Sequence, residues 1–395
     1  MMEVEAIDVR LEKLERKIFT HEADPALPAV VLIGGIHGNE GSGVIALKQV
    51  FDEIQEQQLE LKGSVYVFNG NIPALADDQR FLTVDLNRVW TSDMVEDVKS
   101  GRSSAVEFGQ EQEQFTEILE IIDYILNRFD HTVVFSDLHT TSSPSCPFIP
   151  INDTIANREL AEKFPLPTVL GIEEFIDGPL LSYINEIGHV ALGFEGGQHD
   201  DPNAVHIHKS FVWLLLHYSG VLDSLSPEFL KEQEDNLQRA SQGLSGFYEV
   251  LMKHTIQDNE EFRMLPGFST FQKLHKGQEL AVSNGVKVTA AKDGRIFMPL
   301  YQEQGEDGFY IIRDVNRFWL WLSAIVRNIR LEQLLLLMPG IKRHPDRPHT
   351  ITANLRVTKV LTRDFFHLLG YRVKKKEEDL LVMTRREVDK LKHIS

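Results

Sequence analysis

His37 and Glu40 stand three residues apart in Gly34-Gly35-Ile36-His37-Gly38-Asn39-Glu40, so an imidazole and a carboxylate can converge on one point. A glycine-rich turn of this kind is also a common solvated loop, and His-x-x-Glu alone defines nothing. It needs a further partner, and His139 in Ser136-Asp137-Leu138-His139-Thr140-Thr141 is the best one. Two imidazoles and one carboxylate are a set by which catalytic zinc is commonly held, with a fourth position open to water. Zinc in such a site lowers the pKa of its water from ~15.7 toward ~7, which makes hydroxide available at neutral pH. One Zn2+ per chain is therefore expected on His37, Glu40 and His139.

The elements that must position these residues are strands. Val30-Val31-Leu32-Ile33 reads as a buried strand that runs into the glycine turn, and a helical segment, Gly43 to Phe51, follows at once. His131 to Phe135 reads as a second apolar strand, ending just before the His139 motif. Both halves of the ligand set thus lie at carboxyl ends of strands, where α/β sheets place their ligands. Further strands are expected at Ser64–Asn69, Pro147–Ile151, Thr168–Leu170 and His189–Phe194. Helices are expected from Phe115 to Phe129, at 157–163 and at 208–222, with Glu111, Glu113, Glu117 and Glu120 facing water. Strand and helix in alternation define an α/β fold.

Four short motifs occur in order: Gly-Gly-x-His-Gly-Asn-Glu at 34–40, Asp-Leu-Asn-Arg at 85–88, Asp-Leu-His-x-Thr at 137–141, and Gly-Phe-Glu-Gly-Gly at 193–197. With them the chain resembles the succinylglutamate desuccinylase and aspartoacylase family, within the wider zinc carboxypeptidase-like fold. The resemblance covers residues 25–215 well, 260–315 loosely and 317–395 not at all. It implies a mixed sheet flanked by helices, and roles for individual residues. Glu195 would take the proton of the attacking water and return it to the leaving amine, as general acid–base catalysis asks of one well-placed group. Arg80, eight residues before Arg88, would polarise the scissile carbonyl and hold the oxyanion. Asn87 and Arg88 would bind a substrate carboxylate, for which a guanidinium fork is suited. Asp85 would accept a hydrogen bond from His37 and fix its tautomer. The further basic residue that relatives use to grip a carboxylate has only Arg158 and Lys163 as candidates between His139 and Glu195.

Plainer readings exist for several of these. Arg80 could pair with Asp77 or Asp78 on a surface loop, and Asp85 with Arg88. Glu195 could be a turn residue, although an ionisable group closing an apolar strand is hard to explain by structure alone. His199, His206 and His208 are neighbouring alternatives as ligands, but no carboxylate partner accompanies them. Ser142, Ser143 and Cys146 lack both a G-x-S-x-G elbow and a paired base, which argues against nucleophilic catalysis.

The chain has 395 residues, 42% of them hydrophobic, enough for a sizeable core and for more than one domain. From Phe247 to Val315 short apolar runs alternate with Gly, Asn and Asp turns, the pattern of a small β-rich domain. Members of the resembling family often carry such a barrel-like carboxy-terminal domain, which the resemblance implies could gate the site. The expected division is a catalytic α/β domain over 1–240, a β-rich domain over 241–316, and an α+β extension over 317–395 with a short helix at 362–369 and a hairpin from Tyr371 to Arg385. Residues 4–20 read as an extended or helical lead-in.

A net charge of -18 argues against nucleic acid as a partner. Arg327, Arg330 and Glu332 interrupt the apolar stretch from Phe318 to Met338 too often for a membrane span. A single cysteine and an acidic amino terminus without a secretory pattern suit the cytoplasm. The expected activity is zinc-dependent hydrolysis of the amide bond of an N-acyl amino acid or similar small carboxylate amide, by a monomer or homo-oligomer. A zinc carboxypeptidase acting on peptides and a silent zinc-binding interaction protein are the alternatives.

Overall fold

The computed structural model describes residues 14–102, 108–328, 336–337, 339–344, 350–354, 369–377 and 380–385. In chain order the first elements are β1 (Lys17–His21), β2 (Ala29–Gly34), α1 (Gly41–Glu56), β3 (Ser64–Asn69), α2 (Ile72–Ala76), α3 (Ser92–Ser100), α4 (Glu111–Leu126) and β4 (Val134–Thr141). Then follow β5 (Ile149–Ile151), α5 (Ile155–Ala161), β6 (Pro167–Leu170), α6 (Leu180–Glu186), β7 (Val190–Gln198), α7 (Ala204–Tyr218) and α8 (Pro227–Ala240).

Five strands form the central sheet in the order β1-β3-β2-β4-β7. All neighbours are parallel except β1 with β3. The chain leaves β2 toward β3 on one side and later returns to β4 on the other, so the order reverses between β2 and β4. At such a switch point the loops diverge and leave a crevice.

Both faces of the sheet are covered, which explains the unbroken apolar runs. Val30 and Leu32 pack on one face with residues of α1 and α7, while Val31 and Ile33 pack on the other with α4. On α1 the buried residues Val44, Leu47, Val50, Phe51 and Ile54 recur at helical spacing and form the stripe that meets the sheet.

A second sheet has the order β10-β13-β14-β8-β6-β5, with β8 (Gly246–Thr255), β9 (Phe262–Met264), β10 (Lys273–Leu274), β11 (Glu279–Ser283), β12 (Val286–Thr289), β13 (Gly294–Phe297) and β14 (Asp307–Val315). The parallel pairing of β6 with β8, from Pro167↔Gly246 to Leu170↔Glu249, carries main-chain hydrogen bonds across residue 240. Strands β12, β11 and β9 make a third sheet.

Beyond it lie α9 (Arg317–Asn328) and a sheet of β15 (Ile341–Arg343), β16 (Thr350–Asn354), β17 (Tyr371–Glu377) and β18 (Leu380–Arg385). The antiparallel pairing of β17 with β18 is the hairpin read from the sequence. The helix expected at 362–369 lies, but for its last residue, outside the described residues. Among the described residues no helix is long and apolar enough to cross a membrane.

Of the two alternatives for the lead-in, the extended one holds at its end, where β1 forms over residues 17–21. Two expectations change. Strand β4 starts later than expected and runs on through the polar Ser136 to Thr141, all buried. Glu111 does not face water but is completely buried, as the first residue of α4.

Candidate active site

The turn after β2 brings His37 and Glu40 to the crevice. Gly38 is required there because a Cβ at this position would lie 2.0 Å from the Ala74 carbonyl carbon. Its N–H donates to the Arg80 carbonyl at 3.2 Å, which ties the turn to the loop after α2. His139 comes from β4, where residues two apart share a face, so Asp137 accompanies it. Glu195 lies opposite His139 in the β4–β7 register.

The ligand atoms of His37, Glu40 and His139 lie within 4.8 Å of one another, and all three residues are buried. Glu40 presents one carboxylate oxygen to His37 Nδ1 at 3.0 Å and the other to His139 Nδ1 at 2.8 Å. On the far edges of the rings, His37 Nε2 meets Asp85 Oδ1 at 3.1 Å and His139 Nε2 meets Asp137 Oδ2 at 2.7 Å. Each carboxylate takes the Nε2 proton and so leaves an Nδ1 lone pair facing Glu40. Lone pairs on nitrogen and oxygen do not rest at such distances without a proton or a cation between them. This donor set fits a metal ion, and His37, Glu40 and His139 form a group able to hold one.

The electrostatics agree. Burial would raise the Glu40 carboxyl, but the imidazoles of His37 and His139 hold it well below the usual range. Burial likewise works against charge on His139, and Asp137 and Glu40 outweigh it, so that positive charge, a proton or a cation, is favoured at the Nδ1 that faces Glu40. For Asp85, His37 and Arg80 overcome burial and keep the carboxylate ionised.

Glu195 is in a different state. Burial pushes its carboxyl up to about 8, with Glu40 adding to the rise against His139. Its Oε2 is buried without a hydrogen-bond partner.

Arg80 is not paired with Asp77 or Asp78. Its guanidinium donates to Asp85 Oδ2 at 3.0 Å from Nη2, and Nη1 lies 3.6 Å from Glu40 Oε1, at the edge of the ligand group. Asp85 therefore bridges Arg80 and His37. Asn87 Oδ1 accepts from the Leu180 N–H at 3.0 Å at the start of α6. Arg88 reaches Asp307 Oδ2 at 3.2 Å, and Lys253 reaches the other oxygen of the same carboxylate at 2.7 Å.

Neither basic residue considered between His139 and Glu195 reaches this cluster. Arg158 is bound to Asp153, and Lys163 donates to the Tyr218 carbonyl. The additional cation beside Arg88 is instead Lys253 of β8. His199 is held between Thr140 Oγ1 at 2.7 Å and Gln302 Oε1 at 3.1 Å, apart from the ligand group. Gln302 also accepts from Asn39 at 3.3 Å, so the segment between β13 and β14 lies against the turn that carries His37 and Glu40. His208 is buried between the carbonyls of Ala204 and His139, and a Cβ on Gly196 would strike its ring. Burial pushes the Cys146 thiol up to about 12, which leaves no thiolate for catalysis.

Sequence reasoning missed Asp137, Lys253 and Asp307. Asp137 had a signal, since an acid two residues before a ligand histidine on a strand mirrors the task given to Asp85. Lys253 and Asp307 had none, because nothing local links β8 or β14 to residue 88.

A buried two-histidine, one-glutamate group at the switch point of a mixed α/β sheet is the arrangement of a carboxypeptidase-like fold with a candidate metal centre. Residues 26–209 match the succinylglutamate desuccinylase/aspartoacylase catalytic domain. Over these residues, a little under half of its length, the chain is similar to that family. Over 101 residues it is 32% identical to a succinylglutamate desuccinylase of Photorhabdus laumondii, covering 26% of this chain and 27% of that protein. Over 62 residues it is 40% identical to the one of Yersinia enterocolitica, covering 16% of this chain and 19% of that protein. The matched stretch thus spans about a quarter or less of these relatives. The crystal structure of a succinylglutamate desuccinylase/aspartoacylase from Rhodobacter sphaeroides is similar with a TM-score of 0.52 at 20% identity, over 73% of this chain and 86% of that one. A succinylglutamate desuccinylase from Vibrio parahaemolyticus gives 0.52 at 13% identity, over 75% and 84%. These likenesses establish the fold.

Proposed function

We propose that this chain is a zinc-dependent amidohydrolase that removes the acyl group from an N-acyl amino acid or a similar small carboxylate amide. What carries the reading is that Glu195, buried with an unpartnered oxygen, stands directly across the sheet from a three-ligand metal group. The relatives' names, succinylglutamate desuccinylase and aspartoacylase, support this substrate class.

Zinc, held by His37, Glu40 and His139, would supply Lewis acidity that brings water within reach of deprotonation near neutral pH. Asp85 and Asp137 hold the two imidazoles by their Nε2 protons and keep each Nδ1 turned to the centre. Glu195 takes the proton of the attacking water on its carboxylate and delivers it to the leaving nitrogen. Burial raises this carboxyl above its ordinary range, toward the pH at which one group can both take and return a proton. Arg80, fixed by Asp85 at one edge, presents its guanidinium to the carbonyl oxygen on which negative charge develops. Arg88 and Lys253 provide positive charge for a substrate carboxylate, shared with Asp307. The catalytic unit is assigned to residues 1–240, the β-rich unit to 241–316 and the extension to 317–395, with the single cysteine suiting a reducing cytoplasm.

The test is metal content of protein purified without added metal, together with amine release from a panel of N-acyl amino acids. About one zinc per chain is expected. Release should vanish in Glu195→Ala without loss of zinc. Zinc without release from any acyl amino acid would favour peptides or a silent binder; no zinc after reconstitution would refute the reading.

A further inference from the structure

Glu111 is completely buried at the first turn of α4, outside every motif that points to catalysis. Its carboxylate is fully engaged. Oε1 accepts from the Leu82 N–H at 2.7 Å and from Asn71 Nδ2 at 3.2 Å, while Oε2 accepts from the Thr83 N–H at 3.0 Å and the Val84 N–H at 3.4 Å. Three consecutive main-chain amides thus converge on one carboxylate. They belong to the four-residue span, 81–84, that joins Arg80 to Asp85.

That span has no helix or strand to hold it, and at both ends it carries groups of the site. At one end the Arg80 carbonyl accepts from Gly38 in the metal-binding turn, and its guanidinium reaches Asp85 and Glu40. At the other end Asp85 holds His37 Nε2 and accepts from the Asn87 N–H at 2.8 Å, with Arg88 following. Asn71 closes the connection, because its own N–H donates to the Gly35 carbonyl at 2.8 Å, just before His37. A buried carboxylate that satisfies several amides at once is costly to place without them and strong once they are present.

We infer that Glu111 is a positioning residue for the hydrolytic site: it clamps the 82–84 main chain so that Arg80 and Asp85 stand in register with His37. It touches no reacting atom and acts through Arg80 and Asp85. This inference rests on the hydrolase reading for its kinetic consequence, but not for its structural one.

Glu111→Gln is the test, since it keeps the volume and replaces one accepting oxygen by a donor that opposes an N–H. Amide hydrogen exchange at Leu82, Thr83 and Val84 should speed up at least tenfold relative to wild type, with exchange in β2 and β4 unchanged. Zinc affinity, measured by chelator competition, should fall roughly tenfold as Asp85 loses its hold on His37. In zinc-loaded enzyme kcat should fall roughly ten- to hundredfold with KM changed less, because Arg80 acts on the developing charge. Glu111→Asp, which keeps the carboxylate, should recover part of each loss. If wild type proves inactive on every acyl amino acid, the hydrolase reading fails while exchange and zinc affinity still decide the clamp. Unchanged exchange at 82–84, or exchange released with zinc affinity intact, would overturn the inference. So would failure of both variants to fold, which would make Glu111 a folding determinant only.

Discussion

Arg88 and Asp307 meet at 3.2 Å although 219 positions separate them, and the same carboxylate holds Lys253 at 2.7 Å. Against the opposing effect of burial, Arg88 and Lys253 keep Asp307 ionised below its ordinary range. The guanidinium assigned to a substrate carboxylate is thus already in contact with one supplied by β14. On the proposed reading, a substrate anion would share these two cations with Asp307.

If Arg88 serves the substrate, Arg88→Ala should raise KM roughly ten- to hundredfold for an N-acyl amino acid, the worth of one charged hydrogen bond. The carboxamide analogue of the same substrate should show no such change. Steady-state kinetics on the pair checks this, and an equal loss on both would leave Arg88 only the task of anchoring β14.

Asp137 is expected to act on His139 as Asp85 acts on His37. Asp137→Asn should weaken zinc binding roughly 10–100-fold while the circular dichroism spectrum stays that of wild type. Competition with a chromophoric chelator measures it. Wild-type affinity in the variant would show that the 2.7 Å contact does not orient the ligand.

Helix α9 is tied to the segment between β5 and α5 by a buried ionic cluster. Arg327 of α9 donates to the Asp153 carboxylate at 2.8 Å and to its carbonyl at 2.9 Å, and Arg158 binds the other carboxylate oxygen. Asp153→Ala would leave buried guanidinium groups uncompensated and should cost about 3–5 kcal/mol. Urea denaturation should register it as a lower midpoint; a loss below about 1 kcal/mol would mean that the cluster relaxes into water.

His189 makes stability depend on pH. Its Nδ1 accepts from the Val133 N–H at 3.2 Å, which only the unprotonated ring can do, and burial aided by His131 lowers its pKa to about 4. Unfolded, it titrates near 6.5. Between these values the unfolded chain binds a proton that the folded one excludes, so stability is complete above about 6.5 and is lost as pH falls toward about 4. The contribution is at most about 3 kcal/mol. Urea midpoints across this range should fall less steeply in His189→Gln, and identical slopes would contradict the assignment.

The strands β2 and β3 were legible because each is a run of apolar residues bounded by turn residues, and the ligand residues His37, Glu40 and His139 because their spacing places them at strand ends. Polar Ser136 to Thr141 concealed the length of β4, since a central strand can bury polar side chains where other groups meet them, as they do Asp137, His139, Thr140 and Thr141. Glu111 was read as solvated for the opposite reason. Its neighbours Glu113 and Glu120 do face water, and helical periodicity does not reveal that three main-chain amides from another loop converge on one acid.

The sequence by itself determined the α/β class and the three residues, His37, Glu40 and His139, that come together as a group able to hold a metal ion, because these depend on local pattern and on residue type. Tertiary structure alone decided that Arg80 turns to Asp85 and not to Asp77 or Asp78, that Lys253 and Asp307 join Arg88, and that Glu111 holds the loop between. Those contacts form between segments far apart in the chain, where the partner of a charge is set by which loops the sheet order brings together.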